Sequence, residues 1–222
     1  MPLPAADQEL FDLMATRLYS AVVSDVLDQL GHREHAMDPG IQPIDPSHVL
    51  VGRAMTVRIE ETADVPADPY RGEIAALDDL HPGEVLVGAA RGSHRAALWG
   101  ELFSTAARAR GARGAILDGL ARDQRKIREM GFPVFRRGTL PLDCNGRTAM
   151  REHREPVVCG GAIVRTGDVV FADEDGIVVI PATLVHETAT RALEKVAGED
   201  AARATIRAGM LVREAFDRYR VL

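Results

Sequence analysis

The sequence predicts an α/β domain with mixed parallel and antiparallel strands and a C-terminal helical tail. Two observations carry this. In the middle of the chain three short apolar runs, Glu84–Gly88, Gly114–Asp118 and Pro133–Phe135, alternate with two segments of helical spacing. Short connections between such segments are the mark of parallel βαβ units. After Asp143 the pattern changes to short β-rich runs separated by glycine-containing turns, which predicts antiparallel pairing. The chain has 222 residues, 46% of them hydrophobic, with no internal repeat and no linker-like boundary, so a single domain spanning 1–222 is expected.

Taken in order, Leu10, Phe11, Met14 and Leu18 predict a helix over residues 7–18. A second follows over 20–30, with Ser20 as its N-cap and Gly31 as its stop. Asp38–Pro46 reads as loop, Val49–Glu60 as a strand bent at Gly52, and Thr62–Pro69 as an exposed connection. After the strand Glu84–Gly88, Ala90–Arg95 reads as a polar loop and Leu98–Arg110 as a helix ended by Gly111. After Gly114–Asp118 come the loop Gly119–Arg122, a short helix Asp123–Met130, and its stop at Gly131. The later strands are Pro156–Cys159, Ala162–Val164, Asp168–Phe171 and Ile177–Ile180. Ala182–Tyr219 reads as a helical tail with interruptions near Gly198 and Gly209.

Composition excludes several functions. No apolar stretch approaches the ~18 residues of a membrane span, and MPLPAADQELF lacks the regions of a signal peptide, so a cytoplasmic protein is expected. A net charge of −6 argues against nonspecific nucleic-acid binding. The basic residues comprise 25 arginines and only Lys126 and Lys195, so a lysine Schiff-base mechanism has two candidates. There is no phosphate loop, no GxGxxG after a strand, no CxxC and no HExxH. His32 and His35 read as solvent-exposed loop histidines, and Cys144 and Cys159 as small buried residues.

The loop that follows the second buried strand, ending Arg122-Asp123, lies where ligands gather in open α/β sheets, at the carboxyl ends of parallel strands. A guanidinium can grip a carboxylate while an adjacent carboxylate holds a hard cation. An Asp before a helix is also an ordinary N-cap, and Arg122 equally fits a surface position. Trp99-Gly100-Glu101-Leu102-Phe103 opens the preceding helix, and its free amides offer an anion site, as the amides of any helix end do. The two loops lie side by side if their βα units are neighbours.

At these residues the chain resembles the RraA-like family, which includes the 4-hydroxy-4-methyl-2-oxoglutarate/4-carboxy-4-hydroxy-2-oxoadipate aldolases. AILDGLARD and IREMGFPVF carry the resemblance, with Val23–Gly31, WGELF, GDVVFADEDGIVVIP and GMLVREAFDRY extending it over nearly the whole chain. The fold it implies is an α/β/β/α layered, swivelling-domain-like one. The activity it implies is that of a divalent-metal-dependent class II pyruvate aldolase using Mg²⁺ or Mn²⁺. It cleaves a 4-hydroxy-2-oxo acid to pyruvate and a second oxo acid, with oxaloacetate decarboxylation as a side activity.

The resemblance further implies site residues. Asp123 would be the protein's metal ligand and Arg122 would contact the substrate. Gly100, Glu101, Leu102 and Phe103 would bind its carboxylate through their backbone, and the Glu101 side chain would hold the waters around the metal. Glu199 is the candidate for a glutamate supplied by a neighbouring subunit, which makes Arg122, Glu101 and Glu199 the implied catalytic set. A homotrimer or homohexamer acting on a small 2-oxo acid is implied, without nucleic-acid or membrane partners. One departure stands out: the aldolase pattern R-D-x-x-E/D here reads Arg122-Asp123-Gln124-Arg125-Lys126, with lysine in place of the acid.

The alternative is a noncatalytic regulator like the family's ribonuclease E binders, which lack the metal-binding Asp; retention of Asp123 favours the enzyme. A methyltransferase reading has no glycine-rich loop after a first strand to support it. Ala89–Arg95 and Arg136–Arg137 are candidates for selecting among substrates by supplying extra cations.

Overall fold

The computed structural model describes residues 5–221. Helices α1 (Ala5–Arg17) and α2 (Ser20–Gln29) open the chain, followed by β1 (Gln42–Pro43), β2 (Leu50–Glu61) and α3 (Arg71–Asp78). The βα units are β3 (Glu84–Trp99), α4 (Glu101–Ala109), β4 (Gly114–Ala121), α5 (Gln124–Met130) and β5 (Val134–Thr139). Then come β6 (Thr148–His153), β7 (Val157–Cys159), β8 (Ala162–Val164), β9 (Val169–Asp173) and β10 (Gly176–Ile180). Helices α6 (Val185–Arg207) and α7 (Val212–Tyr219) close the fold.

The main sheet runs β1-β5-β4-β3-β2-β9-β10, with β6 also paired to β2, while β7 and β8 form a separate hairpin. Strands β2 to β5 are mutually parallel and the pairings of β6 to β10 are antiparallel, as the change of pattern after Asp143 predicts; β1, inside the segment Asp38–Pro46 expected as loop, adds an antiparallel pair to β5.

Alternation along each strand sorts the apolar residues into three cores. Leu86, Ala115 and Leu117 face Ala76, Leu77, Ala107 and Ile127 of α3, α4 and α5. Their strand neighbours Val85, Val87 and Ile116 pack with Val157, Val164, Val170 and Val179 from β7 to β10. On the far side, Val169, Phe171, Val178 and Ile180 meet Phe11, Met14, Val22 and Ala189 of α1, α2 and α6. Three buried interfaces between helices, strands, strands and helices are the α/β/β/α layering. Strand β2 serves both halves: Val51 packs with the second helical layer and Met55 with the first. At Gly52–Arg53 its partner changes from β9 to β3. A Cβ at Gly52 would lie 2.8 Å from the Gly83 carbonyl, so the hand-over admits no side chain there.

Several expectations are corrected. Ala90–Arg95 is a bulged stretch of β3, with Arg91 and Gly92 left-handed and register shifts against β4, because Ser93 still pairs with Gly119. Leu98 and Trp99 are consequently the buried end of β3, and α4 starts at Glu101. Gly119–Ala121 belongs to β4, which is buried along its whole length. Ser20 is inside α2 and does not cap it; its amide and hydroxyl both donate to Asp173, a remote carboxylate that caps the helix instead. His35 is buried, with Nε2 2.8 Å from Ser24 Oγ, so it is a core histidine, whereas His32 is exposed. Gly198 does not interrupt α6; the space beside it is filled by the Val221 side chain. Gly209, left-handed, does end that helix region. Helix α3 and strand β6 had no sequence signal. No described helix is long and apolar enough to cross a membrane.

Candidate active site

Adjacent parallel pairing of β3 and β4 brings the two expected loops together at the carboxyl ends of their strands. Trp99 pairs with Ala121, and the Arg122 amide donates to the Trp99 carbonyl at 2.9 Å. The chain leaves β4 into α5 through Asp123, whose backbone is left-handed at φ 59. That conformation turns the carboxylate away from its own helix. Asp123 makes no cap bond to α5; its Oδ2 instead accepts the Glu101 amide at 3.2 Å, at the N-terminus of α4. The ordinary N-cap reading is thereby corrected.

Gly100 permits this approach. A Cβ there would sit 2.8 Å from Asp123 Oδ2 and 3.3 Å from Arg122 Cγ and Nε. Behind it, Trp99 Nε1 donates to Ser104 Oγ (2.8 Å) and the Trp99 ring meets Phe103 edge-on at 5.7 Å. These contacts fix the first turn of α4, where the amides of Leu102 and Phe103 have no carbonyl one turn earlier within the helix.

Two residues that sequence reasoning did not single out complete the cluster. Asp143 Oδ1 lies 3.0 Å from Arg122 Nη2. The Tyr70 hydroxyl donates to Asp143 Oδ2 at 2.7 Å, and the Asn145 amide donates to the same oxygen at 3.1 Å. Backbone bonds from Leu140 to Ala121 and from Ala97 to Leu142 lay the preceding loop along β3 and β4 and so deliver Asp143. Burial pushes the Asp143 carboxyl up, but the Tyr70 and Asn145 bonds and the Arg122 charge outweigh it, holding the group below the usual carboxylate range. The same bond, helped by burial, raises the Tyr70 phenol.

Arg122, Asp123, Asp143 and Tyr70 line a cavity of about 280 Å³ whose other walls include Ile74, Trp99, Leu102 and Phe103. Among the described residues that line it, Arg122 is the one cation. The Glu101 carboxylate accepts the Thr105 hydroxyl one turn along α4 at 2.9 Å. Glu199 is elsewhere in the same chain, accepting a bond from the Tyr19 hydroxyl with Lys195 at 3.9 Å. Lys126 is exposed on α5. Arg137 is paired with Asp118 and Asp38, and Arg91 lines a different cavity beside Asp118, so the structure does not bring these cations to Arg122. Arg136 bonds Gln124 and the Gln42 carbonyl. Both cysteines are buried and free, and burial pushes the Cys144 thiol up to about 12 and raises that of Cys159 as well, so neither is an activated thiolate.

A family model described as RraA-like, Aldolase/RraA, matches residues 20–179. The chain is 30% identical to a Halalkalibacterium halodurans protein named "Putative 4-hydroxy-4-methyl-2-oxoglutarate aldolase" over 81% of this chain and 80% of that one. An uncharacterized protein of Pseudomonas syringae pv. tomato superposes with a TM-score of 0.81 at 29% identity, covering 97% of this chain and 98% of the other. Streptomyces coelicolor RraAS2, described as an unusual member of the RNase ES inhibitor RraA protein family, superposes with a TM-score of 0.78 at 28% identity. That match covers 92% of this chain and all of RraAS2.

Proposed function

The chain belongs to the RraA-like (Aldolase/RraA) family, and on that premise we propose that it is a class II pyruvate aldolase, cleaving a 4-hydroxy-2-oxo acid between C3 and C4. The observation that carries this reading is the pairing of Arg122 and Asp123 at the N-terminus of α4, in a small cavity where Arg122 is the one cation among the described lining residues. The catalytic class requires a divalent metal. Among the described residues no three His, Cys, Asp or Glu side chains converge on one point, so a site built on several protein ligands does not fit. A partly exposed carboxylate does fit a hard cation such as Mg²⁺ or Mn²⁺, which keeps most of its water. Asp123 would hold it, and it would supply Lewis-acid polarisation of the keto oxygen.

The chain's own residues supply the rest. Arg122 reaches the cavity with its guanidinium oriented by Asp143, where it stabilises the negative charge that develops on the keto oxygen as the C3–C4 bond breaks. Asp143 is a positioning residue, and Tyr70 holds Asp143. The free amides of Leu102 and Phe103 and the positive end of α4 receive the C1 carboxylate. Closure of the site by Glu199 from a neighbouring copy, in a trimer or hexamer, and a role for the Glu101 carboxylate toward the waters of the metal belong to the same proposal. Oxaloacetate decarboxylation passes through the same enolate and is expected as a side activity.

The likeness to RraAS2 favours a second reading, a noncatalytic regulator that binds a ribonuclease. Pyruvate release from 4-hydroxy-4-methyl-2-oxoglutarate and from oxaloacetate, with Mg²⁺, with EDTA and in Asp123→Ala, separates the two. A protein-free control corrects for spontaneous loss of CO₂. Metal-dependent release that Asp123→Ala abolishes supports the aldolase. Release that survives both treatments overturns the metal mechanism, and no release from either compound favours the regulator.

A further inference from the structure

The peptide that joins Gly100 to Glu101 is held at both of its polar ends. Its N–H donates to Asp123 Oδ2 at 3.2 Å, and among the described residues this is the one hydrogen bond that the Asp123 carboxylate accepts. Its C=O, on the other side of the same planar unit, accepts two bonds from Ser104, one from the amide at 3.1 Å and one from Oγ at 3.1 Å. Whatever fixes that oxygen fixes the direction of the N–H, and with it the place of the carboxylate.

A serine hydroxyl bonded to the carbonyl four residues earlier is common inside helices. This one differs in what holds it. Trp99 Nε1 donates to Ser104 Oγ at 2.8 Å, which occupies a lone pair of the hydroxyl and leaves its proton for the Gly100 carbonyl. Trp99 is 1% exposed and Ser104 0%, so water does not replace either partner. The backbone of the same tryptophan reaches the other half of the site, since the Trp99 carbonyl accepts the Arg122 amide at 2.9 Å. Both residues are buried within one chain, and their bonds do not depend on what covers the cavity.

We propose that Ser104, locked by Trp99, is a positioning residue for Asp123: it orients the Gly100–Glu101 peptide so that the carboxylate is already in place for a divalent cation. The role rests on the reading of Asp123 as the metal ligand and extends it to groups that touch neither metal nor substrate. Donors on the carbonyl also polarise the peptide and strengthen its N–H as a donor, so loss of the hydroxyl loosens Asp123 even where the helix stays intact. Residues that orient a ligand in this way are typically worth about 10- to 100-fold in metal affinity.

The test reads metal binding without turnover, from the electron paramagnetic resonance of free Mn²⁺ during titration of the full-length protein. The parent is compared with Asp123→Ala, Ser104→Ala, Ser104→Thr and Thr56→Ala. Thr56 is buried in β2 and its hydroxyl bonds Thr166 and the Glu155 carbonyl, none of which lines the cavity, so it controls for a general loss of stability. Binding is expected in the parent, lost in Asp123→Ala and unchanged in Thr56→Ala. Ser104→Ala is expected to weaken it by about tenfold or more, and Ser104→Thr, which keeps the hydroxyl, to stay within about threefold of the parent. Should Ser104→Ala fail to fold, Ser104→Cys, close in size and a weak donor, takes its place with the same expectation. Parental affinity in Ser104→Ala, or an equal loss in Ser104→Thr or Thr56→Ala, overturns the positioning role and leaves Asp123 as the ligand. Binding that is absent from the parent, or indifferent to Asp123→Ala, overturns the metal reading itself, and the role of Ser104 falls with it.

Discussion

Asp123 caps the wrong helix: it immediately precedes α5, yet its Oδ2 accepts the amide of Glu101, 3.2 Å away at the start of α4. One carboxylate thus has a structural and a proposed metal-holding duty, and substitution can separate them. Asp123→Asn keeps an acceptor oxygen for the Glu101 amide, so thermal stability is expected to stay within about 1 kcal/mol of the parent. Metal-dependent pyruvate release is expected to fall by at least ~100-fold, because a neutral amide is a poor ligand for Mg²⁺. Asp123→Ala is expected to lose both. Melting curves beside pyruvate release check this, and a melting temperature equal for all three proteins would rule out the cap.

Gly100 gives a finer probe. Its backbone is extended (φ −151), so alanine is conformationally tolerated, yet the added Cβ would stand 2.8 Å from the Asp123 carboxylate. Gly100→Ala is expected to fold with unchanged secondary structure by circular dichroism. Its apparent affinity for Mg²⁺ or Mn²⁺, read from activity against metal concentration, is expected to weaken by about tenfold or more, as for loss of a supporting contact around a ligand.

For Asp143 the sign of the pKa shift decides what a pH profile shows. The carboxyl is held below its ordinary value of roughly 3.9, so its pairing with Arg122 is complete above that pH and is lost only as pH falls through the depressed value. Asp143→Asn is expected to lower kcat/KM by about tenfold at every pH above ~4, as misplacement of Arg122 would, without moving the midpoint of the acid limb. A midpoint displaced by a full unit would mark Asp143 as a proton-transfer group and remove it from the positioning role.

Tyr19 links α2 to α6 through Glu199. Burial first, and then the bond to that carboxylate, push its phenol up to about 12. A folded value raised above the unfolded ~10 means a stabilising contribution fully present below pH ~10 and lost as pH rises toward 12. Tyr19→Phe is expected to cost about 1 kcal/mol at neutral pH, and the gap to the parent is expected to narrow above pH ~10. Urea midpoints of the two proteins at several pH values check it; a gap independent of pH would break the link.

The βα core was legible because strands covered on both faces must be continuously apolar, and EVLVG and GAILD have that form. Arg122 and Asp123 were legible because strand adjacency brings successive βα loops together. Asp143 and Tyr70 were not. Their meeting with Arg122 depends on a loop laid along β3 and β4 and on α3, whose short, weakly patterned sequence gave no helical signal. The middle of β3 reads as loop because Arg91-Gly92-Ser93 looks like turn chemistry, while long-range pairing with β4 keeps it in the sheet. His35 reads as exposed because local sequence does not report that Ser24, in the preceding helix, lies against its ring.

Strand β2 changes partner from β9 to β3 at Gly52–Arg53, so the parallel and antiparallel halves share one strand. During synthesis, the segment that carries Arg122 leaves the ribosome well before β9 and β10 exist. Until they arrive, the inner faces of β2, β3 and β4 are covered only in part, by Met37 and Ile41 and by the β7–β8 hairpin. Because β2 carries pairings of both halves, neither half is complete without the other, and such long-range pairing is slow to form. Truncation before β9 therefore removes more than two distal strands: it leaves the start of β2 as an unpaired edge and uncovers part of the apolar inner face, with aggregation as the expected fate of the shortened chain.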